Sequence, residues 1–292
     1  MFCSTIIPTI NRPSLSRAVN SVLEQALSAD EFEVIVVNDS GQPLPQMDWQ
    51  QSERVRVIHT NRRERSVARN TGAAVAKSRY LHFLDDDDML LPGALEAFWE
   101  LAQSGDAAWL YGGYQMVDDC GNLLGETRPQ VEGNIFVLLI AGEAIPLGAS
   151  LLDADLFWVS GAFDPRIVVT EDRDLSRRIA MYGTVAGTSA TVARFRVGQQ
   201  GSTTDWTHQA ECDRRGRERA LREPGAFCRL WASANSSYLH GRGTRAYLAS
   251  ALWNLQHKDV LTAASRAMCG MVFGGHHTFY RGFWRGIRTR IR

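Results

Sequence analysis

The run Phe83-Leu84-Asp85-Asp86-Asp87-Asp88 constrains this chain more than any other segment. The apolar stretch Tyr80 to Leu84 reads as a buried strand, and four carboxylates follow it without a break. Carboxylates crowded at a strand end repel one another, and each loses hydration. A fold holds such a group where a cation sits among them. Oxygen-only ligands favour a hard divalent ion, Mg²⁺ or Mn²⁺, which also bridges to phosphate. The run therefore points to a metal–diphosphate site at the carboxyl end of a strand, where open α/β sheets place their ligands. A solvated acidic turn is the competing reading. The D-x-D-x-D-G spacing of an EF-hand is absent.

Around this run the first half of the chain alternates strand and helix signals. Strands are expected at Phe2–Ile7, Phe32–Val37, Val55–Ile58 and Tyr80–Leu84. Helices are expected over Pro13–Leu27, Ser66–Lys77 and Pro92–Ala102, the first and last with Pro in the opening turn. Such alternation predicts an α/β fold with a mostly parallel sheet. The pattern then changes. Trp109–Val117 and Leu123–Glu126 flank a turn-forming cluster and predict a hairpin. A helix over Asp172–Met181 and a strand over Thr191–Val197 follow. From about Trp206 only helical segments are predicted, near 207–222, 226–238, 244–256 and 259–272. These features divide the chain into residues 1–205 and a helical extension over 206–292.

Composition narrows the class. With 292 residues and 45% apolar content, the chain can bury a sizeable core. Five cysteines show no metal-ligand spacing, which favours reduced thiols in the cytoplasm. The chain opens almost directly into a strand, so no secretory signal is expected. No apolar run reaches the ~18–20 residues of a membrane-spanning helix. The formal charge of zero hides an asymmetry: from Gln209 onward fifteen Lys and Arg face five acids. The stretch Phe279–Arg292 interleaves five Arg with aromatic residues and contains no acid. That suits an anionic membrane surface, or a docked helix with a basic outer face. Nucleic acid is disfavoured by the acidic N-terminal part.

Three further segments carry candidate chemistry. Pro8-Thr9-Ile10-Asn11-Arg12-Pro13 is a strand–turn–helix junction whose backbone N–H groups suit a nucleotide. Val34–Val37 runs into Asn38-Asp39-Ser40-Gly41, placing a carboxylate at a second strand end. Asp39 suits the N3–H of a uracil, or caps a turn. Arg62 to Gly72 sets several cations near a helix start, and Arg suits phosphates.

Together these segments resemble the family-two glycosyltransferases of the GT-A fold. The resemblance rests on Pro8-Thr9-x-Asn11-Arg12, Asn38-Asp39-Ser40, Ala68-Arg69-Asn70-x-Gly72 and Phe83-Leu84-Asp85-x-Asp87-Asp88 with Pro92. It continues through Gly161-x-Phe163-Asp164 and Glu171-Asp172-x-Asp174-Leu175, and it covers roughly residues 2–204. It implies a Rossmann-like, mostly parallel GT-A sheet, and an inverting enzyme that moves a sugar from a nucleotide-sugar donor, a UDP-sugar, to a hydroxyl acceptor. Pro8, Thr9, Asn11, Asp39 and Arg65 would bind the nucleotide. Asp87 would hold Mn²⁺ or Mg²⁺, with Asp85 or Asp86 at the ribose or a second metal position. Asp172 would be the general base, supported by Glu171 and Arg178. The implied setting is cell-surface polysaccharide or glycolipid synthesis on a saccharide or lipid-linked acceptor.

The chain departs from the family pattern at Ile10, where a Tyr is usual, and at Asn38, the first Asp of a pair. No His lies in Phe195–Gln200, which implies a metal with fewer protein ligands, or His208 in its place; the first is the reading adopted. Two alternatives are a nucleotidyltransferase, whose Gly-rich N-terminal loop is missing from Pro8–Pro13, and a non-catalytic sugar-nucleotide-binding relative.

Overall fold

A computed structural model describes residues 1–129, 131–167, 169–198, 206–232, 236–256 and 258–288. Two compact units are present: residues 1–133 with 145–219, and residues 134–144 with 220–292.

The first unit is built on one sheet, with nine strands among the described residues. Strands β1 (Cys3–Thr9), β2 (Phe32–Asn38), β3 (Val55–His59) and β4 (Tyr80–Phe83) run parallel in the order β3-β2-β1-β4. β2 is buried at all seven positions, because helices cover both faces of a parallel block and apolar β-branched side chains can then fill both. Helix α1 (Leu15–Leu23) buries Leu15, Ala18, Val19 and Val22, a stripe of 3.6-residue period.

Helix α2 (Arg65–Val75) lies close on the sheet, since a Cβ at Gly72 would come within 2.5 Å of Ile6 Cγ2. Its N-cap is Glu64, whose carboxylate accepts from the backbone N–H groups of Ser66 and Val67. Ser66 stands at the N-terminal end of the helix, as expected, and is fully buried in the first turn.

Beyond β4 the sheet becomes mixed. The two-residue β5 (Met89–Leu90) is followed by helix α3 (Ala94–Gln103) and by the hairpin of β6 (Trp109–Val117) and β7 (Leu123–Thr127). Its turn is closed by Asp118, whose Oδ1 accepts from the N–H groups of Cys120 and Asn122. After helix α4 (Phe136–Ile140), which belongs to the second unit, β8 (Ser150–Asp153) inserts antiparallel between β4 and β6. Helices α5 (Ala154–Val159) and α6 (Glu171–Tyr182) lead into β9 (Val185–Arg196). β9 pairs parallel with β6 and antiparallel with β5. Helix α7 (Trp206–Arg222) follows.

In the second unit, α8 (Ala226–Ala232), α9 (Ser236–Gln256), α10 (Val260–Gly274) and α11 (Arg281–Arg288) are helical. The sequence suggested a break near Gly241-Arg242-Gly243, yet α9 runs through it. Both glycines are where neighbours come closest: a Cβ at Gly241 would strike the Phe283 carbonyl, and one at Gly243 the Phe273 ring. α11 docks on α9 through Phe283 and Gly286, while Arg281, Trp284, Arg285 and Arg288 lie on its exposed side. The remainder of the basic tail, residues 289–292, lies outside the described residues. No helix among the described residues is long and apolar enough to cross a membrane.

Candidate active site

The acidic run forms a tight turn after β4, closed by the Asp88 N–H donating to the Asp85 carbonyl. Successive side chains take different directions around such a turn, and the four acids separate accordingly. Asp85, Asp87 and Asp88 converge, with one oxygen from each lying within 4.8 Å of the others. Asp86 turns away into the fold, where it accepts from Thr9 Oγ1 at 2.5 Å and Arg12 Nη1 at 3.1 Å. The structure thus brings Asp85 and Asp87 together as expected for a shared cation site. It adds Asp88, which sequence reasoning had not assigned although it stands in the run itself.

Electrostatics distinguish the three. Burial pushes the Asp88 carboxyl up to about 8, reinforced by the charges of Asp85, Asp87 and Asp86. Burial also opposes ionisation of Asp85, but Arg69, Arg65 and Arg12 outweigh it and hold this carboxyl below its ordinary range. Asp87 is a third exposed and meets Arg12 Nη1 at 2.7 Å. Three carboxylates, one of them resisting ionisation because it is buried among like charges, form an oxygen-only donor set that suits Mg²⁺ or Mn²⁺. The residues present therefore fit such an ion. The His208 side chain lies outside the described residues.

Arg69 ties this turn to the start of α6. It is buried, and its guanidinium donates to Asp85 Oδ1 at 2.7 Å and to Glu171 Oε1 at 2.9 Å. Arg65, half exposed, reaches the same Glu171 oxygen at 3.4 Å. Glu171 is itself buried, and burial raises its pKa despite Arg69. Asp172, the next residue, is only partly buried, and its Oδ1 accepts from the Arg173 N–H. Glu171 is therefore committed to holding Arg69, which leaves Asp172 as the carboxylate facing outward beside it. Arg178 supports the same helix, pairing with Asp174 at 2.7 Å and donating to the Ser160 carbonyl.

The neighbouring motif residues have structural assignments. Asn70 exchanges two hydrogen bonds with the backbone of Phe163, and Phe163 packs edge-on against Phe83 at 5.0 Å, beneath Arg69. Asp164 is held by Arg166 and Arg219 well below the usual carboxylate range.

At the ends of β1 and β2 the nucleotide-binding candidates cluster. The Asp39 N–H donates to the Thr9 carbonyl, joining the two strand ends. Burial opposes the Asp39 charge, but donors from Arg62, Thr60, Arg63 and Glu64 more than offset it, and its pKa is lowered. Asp39 thus organises the loop that leads to Arg65. Asn38 is fully buried: its amide donates to the Gln42 carbonyl at 2.6 Å and lies 3.2 Å from His59 Nδ1. Its carbonyl accepts from Ser40. An Asp here could not donate to Gln42, which explains the departure from the family pair. Asn38 also lines, with Gly41, Thr60 and Asn61, an open cavity of about 510 Å³. Asn11 takes the left-handed conformation at φ 68° and donates its N–H to Thr9 Oγ1. Pro8 is the last β1 residue before Thr9, and Ile10 is exposed.

Residues 4–139 match the model of glycosyl transferase family 2. Poly(ribitol-phosphate) beta-N-acetylglucosaminyltransferase TarP of Staphylococcus aureus is 32% identical over 117 residues, 38% of this chain and 36% of that protein. An uncharacterized glycosyltransferase of Rickettsia felis is 26% identical over 222 residues, 72% of this chain and 36% of its own length. The matched region therefore spans about a third of the length of these curated relatives. Among solved structures, S. aureus TarS 1-349 in complex with UDP-GlcNAc superposes with a TM-score of 0.62 at 14% identity, covering 92% of this chain and 91% of that one. This likeness establishes the fold, a GT-A sheet with a helical C-terminal region. Residues 4–139, the stretch that carries the β1, β2, α2 and β4 motifs, are thus similar to glycosyl transferase family 2.

Proposed function

We propose that this protein is an inverting, metal-dependent glycosyltransferase that uses a UDP-sugar and acts in cell-surface polysaccharide or glycolipid synthesis. The observation that carries this reading is the Asp85–Arg69–Glu171 bridge, which sets a cation-ready acidic turn beside the outward carboxylate of Asp172. The matched regions of the TarP and TarS proteins support a nucleotide-sugar donor and a saccharide acceptor.

In this reading Thr9, Asn11, Asp39 and Arg65 hold the nucleotide against the ends of β1 and β2. Asp85, Asp87 and Asp88 would hold Mg²⁺ or Mn²⁺, which supplies positive charge to the departing diphosphate. Asp172 accepts the proton of the acceptor hydroxyl as that oxygen attacks the anomeric carbon. Arg69 fixes the separation of the acidic turn and the α6 start. The five cysteines are free thiols, which fits the proposed cytoplasmic setting. The domain assignment proposed with it is catalysis by residues 1–205 and a basic extension over 206–292. The exposed Arg side of α11 would contact an anionic membrane surface.

Asp87→Ala is expected to abolish metal-dependent donor binding while the fold survives. Asp87 is a third exposed and contributes to no core. Its removal relieves the charge crowding that raises Asp88, so the melting temperature holds or rises. Calorimetry with UDP and Mn²⁺ decides, and unchanged affinity in the variant would defeat the metal assignment. A screen of nucleotide-sugars, following UDP or GDP release with and without Mn²⁺, tests the activity as a whole.

A further inference from the structure

Helix α10 presents an anomaly that the transfer reaction leaves unexplained. Its sequence, Val260–Gly274, contains a single charged residue, Arg266. Against its neighbours it buries the small residues Ala263, Gly270 and Gly274 and sets the Phe273 ring over Gly243 of α9. Gly270 sits close to Tyr247 and Thr244 of α9. Its other large apolar side chains lie exposed: Leu261 is 86% exposed, Val272 77% and Met271 68%, with Met268 and Val260 also exposed. A helix apolar all round belongs inside a core or in lipid, and a contiguous exposed apolar surface marks an interaction site.

The charge around α10 selects the occupant. From Ala226 to Arg292 the chain carries ten Lys and Arg and one acid, Asp259, which is spent capping α10 through the Thr262 N–H. α10 leads through a short 3-10 turn bearing the exposed Phe279 directly into α11, with its exposed Arg281, Arg285 and Arg288. A second copy of this chain would bring two such basic surfaces together and repel. An anionic bilayer satisfies both features, taking the apolar side chains into the acyl boundary and the Arg side chains among the headgroups. At fifteen residues α10 is about 22 Å long, too short to span, so it lies in the interfacial plane.

We propose that α10 is an apolar anchor that inserts Leu261, Met268, Met271 and Val272 into an anionic lipid surface while α11 supplies the electrostatic attraction. This rests on the membrane-surface reading of α11 given above and adds a distinct, salt-insensitive component to it.

Full-length protein is sedimented with vesicles of phosphatidylglycerol and phosphatidylcholine, or of phosphatidylcholine alone, at low and high salt. UDP binding is measured on every variant as a check on the first unit. The expected result is binding to anionic vesicles that Leu261→Gln/Val272→Gln weakens at least tenfold at both salt concentrations, with UDP binding unchanged. Both positions are so exposed that neither substitution disturbs packing. Arg281→Gln/Arg285→Gln/Arg288→Gln should weaken binding mainly at low salt. A polarity-sensitive dye on Cys269, itself exposed on α10, should shift to the blue on binding when Cys120, Cys212 and Cys228 are replaced by Ser. If only the Arg variant loses binding, the α10 anchor is wrong and the α11 contact stands. Equal binding to neutral vesicles, or none to either, overturns the proposal. So does self-association without lipid that Leu261→Gln/Val272→Gln abolishes, which would assign the face to a second copy.

Discussion

Asp172→Asn is expected to keep donor binding and lose sugar transfer, with turnover falling ~10²–10⁴-fold, the usual contribution of a positioned general base. The amide is nearly isosteric, and the Asn side-chain oxygen can still accept the Arg173 N–H that Asp172 accepts at 2.8 Å. Local structure at the α6 start is therefore preserved, and only the capacity to take a proton is lost. The adjacent carboxylate is the natural rival, and the geometry separates the two. Glu171 is buried and holds Arg69 at 2.9 Å and Arg65 at 3.4 Å, so a proton taken there would release two cations from their partner. Glu171→Gln is accordingly expected to act on stability first. Single-turnover transfer to the acceptor found by screening, with UDP binding measured in parallel, separates the two roles. Near wild-type transfer by Asp172→Asn would move the base elsewhere, with Glu171 or Asp174 next.

The parts of this molecule legible in the sequence are those set by local chemistry. β1, β2 and β4 are apolar runs that end in polar turns, and the parallel block follows from their alternation with helices. The acidic turn is visible because four like charges cannot be explained by a strand. β8 was not visible: Ser150-Leu-Leu-Asp153 is too short to carry a period, and it is a strand only because β4 and β6 present unpaired edges to it. α9 was read as two segments, near 226–238 and 244–256; Gly241 and Gly243 in the gap are poor helix formers, but their missing side chains are what admit Phe283 and Phe273. In the site, the motif residues were identifiable but their division of labour was not. Asp86 and Asp88 are adjacent and chemically identical, and only the path of the turn sends one to Thr9 and the other to the carboxylate cluster. Arg69 stands in the Ala68-Arg69-Asn70 motif, but only its burial and its two carboxylate partners show that it joins Asp85 to Glu171.

Arg69→Met is expected to be the most destabilising single change in the first unit. It leaves the Glu171 carboxylate buried with only the half-exposed Arg65 beside it, and removes the partner of Asp85 at 2.7 Å. Breaking a buried ion pair from one side typically costs about 3–5 kcal/mol, most of it the penalty of the stranded charge. The loss should depend on pH in a defined direction. Burial already raises the Glu171 pKa with Arg69 in place, and without that cation it rises further. A carboxyl raised in the folded state keeps a proton that the unfolded chain releases. Stability therefore falls as pH climbs from the unfolded value through the folded one. The deficit of Arg69→Met relative to wild type should thus be smaller at pH 5 than at pH 8. Adding Glu171→Gln removes the stranded charge, so the double variant should be more stable than Arg69→Met alone, a coupling that additive effects would not produce. Urea unfolding of the four proteins at the two pH values measures both. A deficit independent of pH, with additive substitutions, would mean that Arg69 acts through its packing on Phe163, 5.3 Å from its guanidinium, and not as the ionic tie between the acidic turn and α6.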